Sequence, residues 1–134
     1  MASAALMFAG CGSSSGGGNV DAWVGNWMEG GTQSTTCAGV STTTQLSMLV
    51  VFSAGTKAGT IESSADSCVL VWDVSGDKAT LESGQTCTAS IDGVNASVTW
   101  TASTLTLDGN TMTGTLGGSG NDCPFTQQAT LTKM

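Results

Sequence analysis

A small antiparallel all-β domain is the fold class this sequence predicts, and three observations predict it. Ser, Thr and Gly dominate the polar positions while only 10% of the 134 residues are charged, a composition suited to the wet faces of pleated strands and not to long surface helices. Apolar residues recur with a period of two, most plainly at Val94, Ala96, Val98, Trp100 and Ala102, the mark of a half-buried strand. Turn signals built from Gly, Asp and Asn separate such runs at even intervals.

Taken in order, Leu46, Met48, Val50 and Phe52 alternate, and Leu49 and Val51 fill the second face, which predicts a strand covered on both sides. Residues 54–59 read as a turn. Ile61, Val69 to Val74, Ala79 to Leu81 and Cys87 to Ile91 supply further runs, with Ser75-Gly76-Asp77-Lys78 as a hairpin signal between two of them. After Val94 to Ala102 the apolar phase flips to Leu105 and Leu107, so either a bulge sits near Ala102-Ser103 or one strand ends and another begins. Asp108-Gly109-Asn110 turns the chain into Met112 and Leu116, and Phe125 to Leu131 forms the last run. The sum is an antiparallel up-and-down meander of about eight short strands. Closure into a small barrel removes the exposed edges, and a two-sheet β-sandwich is the alternative.

Ahead of the domain, residues 2–10 form a short apolar run ending in Ala9-Gly10, directly before Cys11. This resembles the lipobox of bacterial lipoproteins, in which the cysteine receives a diacylglycerol, is fatty-acylated (palmitate in type) and becomes the new N-terminus. The resemblance implies a partial signal peptide over 1–10, lipidation at Cys11 and a membrane partner reached through the lipid. Gly12 and not Asp follows the cysteine, which by the same resemblance implies the outer membrane of the cell envelope. Gly12 to Asn19 is a flexible Gly/Ser coil, so residues 11–22 are expected to form the lipidation site and tether, and residues 23–134 the β domain. The longest later apolar run is Met48 to Phe52, far below the roughly 18 residues of a spanning helix.

With Cys11 given to lipid, Cys37, Cys68, Cys87 and Cys123 remain, an even number in a chain bound for an oxidising compartment. Cys68 shares a face with Leu70, Trp72 and Val74, and Cys87 with Leu81, Ala89 and Ile91 across the Ser75–Lys78 turn. A two-residue turn sets Cys68 opposite Gln85, so Cys87 is a diagonal neighbour or is brought opposite by a bulge near Ser83-Gly84. The expected pairs are therefore Cys68–Cys87 and Cys37–Cys123, the second fastening an early strand to the last. Wide, irregular gaps, no Cys-x-x-Cys and no histidine argue against zinc.

A net charge of −7 with Lys57, Lys78 and Lys133 as the sole cations leaves nothing to neutralise a phosphate backbone, so no nucleic-acid partner is expected. Without histidine neither a Ser-His-Asp nor a Cys-His arrangement can be built. Glu29, Glu62, Asp73 and Glu82 are the carboxylates available for glycoside chemistry, but their spacing favours no pair. The chain is read as a non-enzyme without cofactor or metal. Asp108-Gly109-Asn110 and Asn121-Asp122 are oxygen-rich, yet read as turns and not as calcium loops.

Trp23, Trp27, Trp72 and Trp100, with Met48 and Met112, either fill a core or line an apolar cavity. Gln127 shares the face of Phe125, Ala129 and Leu131, so its amide bonds inside or lines that space. Small barrels have interiors just wide enough for side chains, and a large pocket is not expected. Gly25-Asn26-Trp27 resembles the Gly-x-Trp signature of lipocalins, whose tryptophan plugs the floor of an eight-stranded barrel and faces an arginine; this chain has no arginine. Two functions follow: an envelope module working through protein contacts, which is preferred, or lipocalin-like binding of a small apolar ligand.

Overall fold

The computed structural model describes residues 20–65, 68–91 and 94–134. Residues 1–10, Cys11 and the tether up to residue 19 lie outside them. Ten strands are described: β1 (Gly25–Cys37), β2 (Val40–Ala54), β3 (Thr60–Ala65), β4 (Cys68–Ser75), β5 (Lys78–Leu81), β6 (Thr86–Ile91), β7 (Val94–Trp100), β8 (Thr104–Asp108), β9 (Thr111–Gly120) and β10 (Cys123–Lys133). Every pairing between them is antiparallel. The hydrogen-bonded circuit β10-β1-β2-β3-β4-β5-β8-β9 closes when β9 pairs with β10, so the domain is an eight-stranded barrel and not a sandwich.

The two surplus strands come from β9. Along one edge it pairs with β10 throughout. Along the other it pairs with β8 through Thr111–Thr115 and with β7 through Gly118–Gly120. β8 leads to β5 and thence β4, closing one end of the barrel, and β7 leads to β6 at the other end. The apolar phase flip after Trp100 is thus the break between β7 and β8, with Ala102 exposed and Ser103 buried. The Ser103 hydroxyl donates to the Thr101 carbonyl and accepts from the Gly117 amide, so one side chain satisfies backbone groups left over where β9 changes partner.

A comparable repair stands where β5 leaves β4. The Gln85 side-chain amide accepts from the Val71 N–H and donates to the Val71 carbonyl, both at 2.8 Å, and so imitates a strand peptide at a place where no strand runs. Two residues on, Cys87 reaches Cys68 with a Cα–Cα distance of 5.1 Å. The pair expected from strand parity is present, but its strands are not hydrogen-bonded neighbours: β6 pairs with β7, and the disulfide holds it to β4. The other pair, Cys37–Cys123, joins β1 to β10 at 4.8 Å.

Close approach in the wall calls for glycine, as Gly31 and Gly118 show. Gly31 has φ +116°, and a Cβ there would collide with the Gln128 carbonyl oxygen, so β1 can lie against β10 only with glycine at this point. At Gly118 a Cβ would come within 2.8 Å of the Phe125 ring, which occupies the space its cross-strand partner leaves empty.

Two expectations are corrected. Leu49 and Val51 do not lie under a second layer; they are 47% and 39% exposed on the outside of the barrel. Val20 to Ala22 are not free tether. Val20 packs on the core, and its carbonyl accepts from the Trp23 amide in a turn that lays Trp23 across the barrel end.

Candidate functional site

The period of two in β1, β2, β4, β9 and β10 sends Trp27, Phe52, Trp72, Met112 and Leu131 inward, all buried. One end of the barrel is shut by Trp23 and Trp27, both fully buried. Trp27 Nε1 donates to the Trp23 carbonyl at 2.9 Å, its ring meets Phe52 edge-on at 6.4 Å, and the Lys133 ammonium lies 5.5 Å from its ring centroid. Each contact fixes the indole as a floor.

Above this floor the interior is not filled. It encloses a cavity of about 410 Å³, within the range of small-molecule sites, which corrects the expectation that side chains would leave no large pocket. The disulfides sit at the end opposite the tryptophan floor, where Cys68, Thr88 and Cys123 border the cavity and are half-buried or exposed. The cavity opens there.

The wall is mostly apolar. Trp72 is set by a bond from its Nε1 to Ser63 Oγ at 2.9 Å. Trp100 is set by Phe125, edge-on at 5.2 Å, and by a bond from its Nε1 to Cys87 Sγ. Against this wall stands one polar strip carried by β1 and β10: Glu29, Gln33, Thr35 and Gln127. Gln127 and Gln33 face each other in register. Gln127 Nε2 donates to Gln33 Oε1 at 2.8 Å, and Gln33 Nε2 donates to Thr35 Oγ1 at 3.2 Å. The first bond crosses from β10 to β1 and the second runs along β1 towards the mouth, and the Gln127 side-chain oxygen takes no donor from the described residues.

Glu29 is the titratable group of this cavity, since both lining cysteines are in disulfides. It is only 7% exposed, stands between Met48 of β2 and Leu131 of β10, and takes no hydrogen bond or ion pair from the described residues. Burial pushes its pKa from 4.5 up to about 7, because the charged form loses its water without gaining a partner. The folded state therefore holds a proton that the unfolded chain releases at lower pH. The stability that Glu29 contributes is greatest below about pH 4.5, falls as pH rises towards about 7, and is lost above it. The loss across that window is on the order of 3 kcal/mol. Thermal melts of the wild type should fall through this window and those of Glu29→Gln should stay level; parallel curves would show that Glu29 is solvated in the native state.

Of the residues singled out from sequence, Met48, Trp72, Trp100 and Gln127 line the cavity, whereas Trp23, Trp27 and Met112 belong to the packed floor. Glu62, Asp73 and Glu82 do not line the cavity with Glu29, and Glu82 pairs at the surface with Lys57. Asp108-Gly109-Asn110 and Asn121-Asp122 are hairpin turns between β8 and β9 and between β9 and β10. Glu29 as a cavity residue was missed, as was Gln33. The signal existed, since Glu29 lies two residues beyond Trp27 and so on the same face.

Comparison with protein-family models gives no match, and comparison with curated proteins gives none. Among solved structures, the crystal structure of ywiB protein from Bacillus subtilis is similar at a TM-score of 0.45 and 10% identity, over 82% of this chain and 92% of that one. That likeness is too distant to assign any residue a role.

Proposed function

We propose that the protein is a binding barrel of the bacterial cell envelope, held at the outer membrane by lipid on Cys11, that takes a small, largely apolar ligand into its interior. The observation that carries the reading is the cavity of about 410 Å³, floored by tryptophan, walled by aromatic and aliphatic side chains, polar along one strip and open at one end. This is the architecture expected of a small-molecule site and not of a filled structural core. Of the two functions drawn from sequence, ligand binding is the one the geometry favours. The lipocalin-like comparison gains support from the same floor: Trp27 plugs it, and a lysine, Lys133, supplies the cation set against the indole.

The test is calorimetric titration of the disulfide-intact protein with decanol, an apolar chain with a neutral head. Saturable binding is expected, and Met48→Trp, which fills the cavity from β2, should abolish it while leaving the thermal melt cooperative. Binding unchanged by Met48→Trp would overturn the reading, as would absence of binding by decanol and by its amine and carboxylate counterparts alike. Mass spectrometry of protein extracted from envelopes bears on the anchor: peptides carrying residues before an unmodified Cys11 would remove it.

Protein contact is the second reading, favoured by a specific feature of β2. From Val40 to Leu49 its outer edge has no strand partner among the described residues, because β3 pairs only with Val51–Ala54. Beside this edge Met28 and Leu49, cross-strand partners, are exposed together with Val51. An open edge with apolar neighbours is a template for strand addition.

A further inference from the structure

The polar strip inside the cavity is unbalanced in a way that specifies a ligand. Glu29 presents two carboxyl oxygens and Gln127 one amide oxygen, and none receives a hydrogen bond from the described residues. The N–H donors of the strip and wall are turned elsewhere, and the Ser63 and Thr35 hydroxyls accept from Trp72 and Gln33 without reaching Glu29 or Gln127. Gln127 Nε2 turns to Gln33, Gln33 Nε2 turns to Thr35, and the tryptophan N–H groups are spent on Trp23, Ser63 and Cys87. No lysine lines the cavity: Lys57 pairs with Glu82, Lys78 is exposed and Lys133 lies over Trp27. Buried acceptors without donors cost free energy, and a buried carboxyl most of all. A ligand that supplies N–H donors and positive charge relieves that cost.

We propose that the ligand of this cavity is an amphipathic amine, its ammonium group bound by the Glu29 carboxylate, its apolar body against Trp72, Trp100 and Phe52. The proposal rests on the binding-barrel reading above and adds the chemical class. An anionic amphiphile such as a fatty carboxylate would set its charge beside a carboxyl that can itself ionise only to like charge and enter a protein of net charge −7; a cation is drawn by both. A neutral alcohol brings a single donor and no charge. The ammonium stays protonated at neutral pH, as a lysine side chain does. Binding therefore ionises Glu29: the carboxylic acid gives its proton to the buffer and the carboxylate pairs with the ammonium. No other titratable group faces Glu29 within the cavity, its neighbours on β2 and β10 being Met48 and Leu131.

The test compares decylamine, decanol and decanoate, which share one alkyl chain, by calorimetric titration of the full disulfide-bonded protein and of Glu29→Gln. In the wild type decylamine should bind at least about tenfold more tightly than decanol, with decanoate weakest. Glu29→Gln should bring decylamine down to the level at which the same variant binds decanol. Decylamine affinity should rise between about pH 6 and about pH 8 while that of decanol stays constant, and the decylamine heat should vary with the ionisation enthalpy of the buffer. Decanol binding as well as decylamine in the wild type would overturn the amine proposal and leave the binding barrel intact. A decylamine preference that survives Glu29→Gln would also overturn it, since the cation would then be held by the acidic surface. Failure of all three to bind would overturn the binding barrel itself.

Discussion

Trp27→Ala is expected to destabilise the barrel by about 3–5 kcal/mol, the cost of replacing a large buried aromatic by alanine. Trp27 is fully buried, and three separate contacts converge on it: the Trp23 carbonyl, the Phe52 ring and the Lys133 ammonium. The void cannot be repaired by collapse. Trp23 loses the indole bond to its carbonyl in the same variant, and the strands on either side stay locked in the closed circuit. A small domain is stable by only about 5–15 kcal/mol, so the variant should lose a large part of its stability and shift its urea midpoint strongly downward. Trp27→Phe separates the contributions. It keeps most of the ring and loses the donor to Trp23, and should cost about 1–3 kcal/mol. A midpoint for Trp27→Ala within experimental error of the wild type would show that the floor is not closed by this residue.

The floor and the cavity follow from one property of small barrels. Eight strands leave an interior just wide enough for side chains to fill, so whether a space remains depends on residue size at each inward position. At the closed end those positions hold Trp27, Phe52, Ile61 and Met112, which fill it. Towards the mouth the inward positions of β1 and β3 hold Gly31, Thr35, Ser63 and Ala65. The change from large to small along the same strands creates the cavity, and it puts the polar strip on the two strands that meet at Gly31.

Much of this was legible in the sequence. The period of two located β2, β4, β5, β6, β7 and β10, the Gly, Asp and Asn turns located several hairpins, and cysteine parity located both disulfides; β1, rich in Gly, Ser and Thr, has no apolar period beyond Trp27 and was not placed. The break at Ala102-Ser103 was visible as a phase flip, although sequence could not distinguish a bulge from a change of partner, because both invert the same pattern. The depth of β2 was misjudged: Leu49 and Val51 look like a covered face, but apolar residues also occur on open strand surfaces. The cavity was missed for another reason. Its existence depends on which inward residues meet across the barrel, and that is set by register between strands distant in sequence, such as Gln33 against Gln127. Glu29 could be placed on the inner face by counting from Trp27. Its lack of any donor could be known only once β2 and β10 were seen to present Met48 and Leu131 beside it.

Removing the two disulfides should produce different losses, although both sit at the mouth. Cys37 and Cys123 are 86 residues apart, and Cys68 and Cys87 are 19 apart. On loop-closure entropy alone the first cross-link stabilises by about 4–5 kcal/mol and the second by about 3 kcal/mol. The paired substitution Cys37→Ser with Cys123→Ser should therefore give the larger drop in urea midpoint. Structure adds a local term that entropy omits. β1 and β10 remain joined by a continuous ladder from Trp27–Lys133 to Thr35–Phe125 without their disulfide, whereas β6 has no ladder to β4 and depends on its disulfide and on the Gln85 amide nearby. Cys68→Ser with Cys87→Ser should consequently release the β6–β7 hairpin: amide exchange across Thr86–Ile91 should accelerate far more than exchange in β1 and β2. In the Cys37/Cys123 variant, by contrast, the β6 amides should slow or quicken only with global stability. Unchanged protection of β6 after loss of Cys68–Cys87 would show that Gln85 and β7 suffice to hold the seam. A reversed order of midpoints would show that the β4–β6 closure, and not the length of chain enclosed, governs the stability of the barrel.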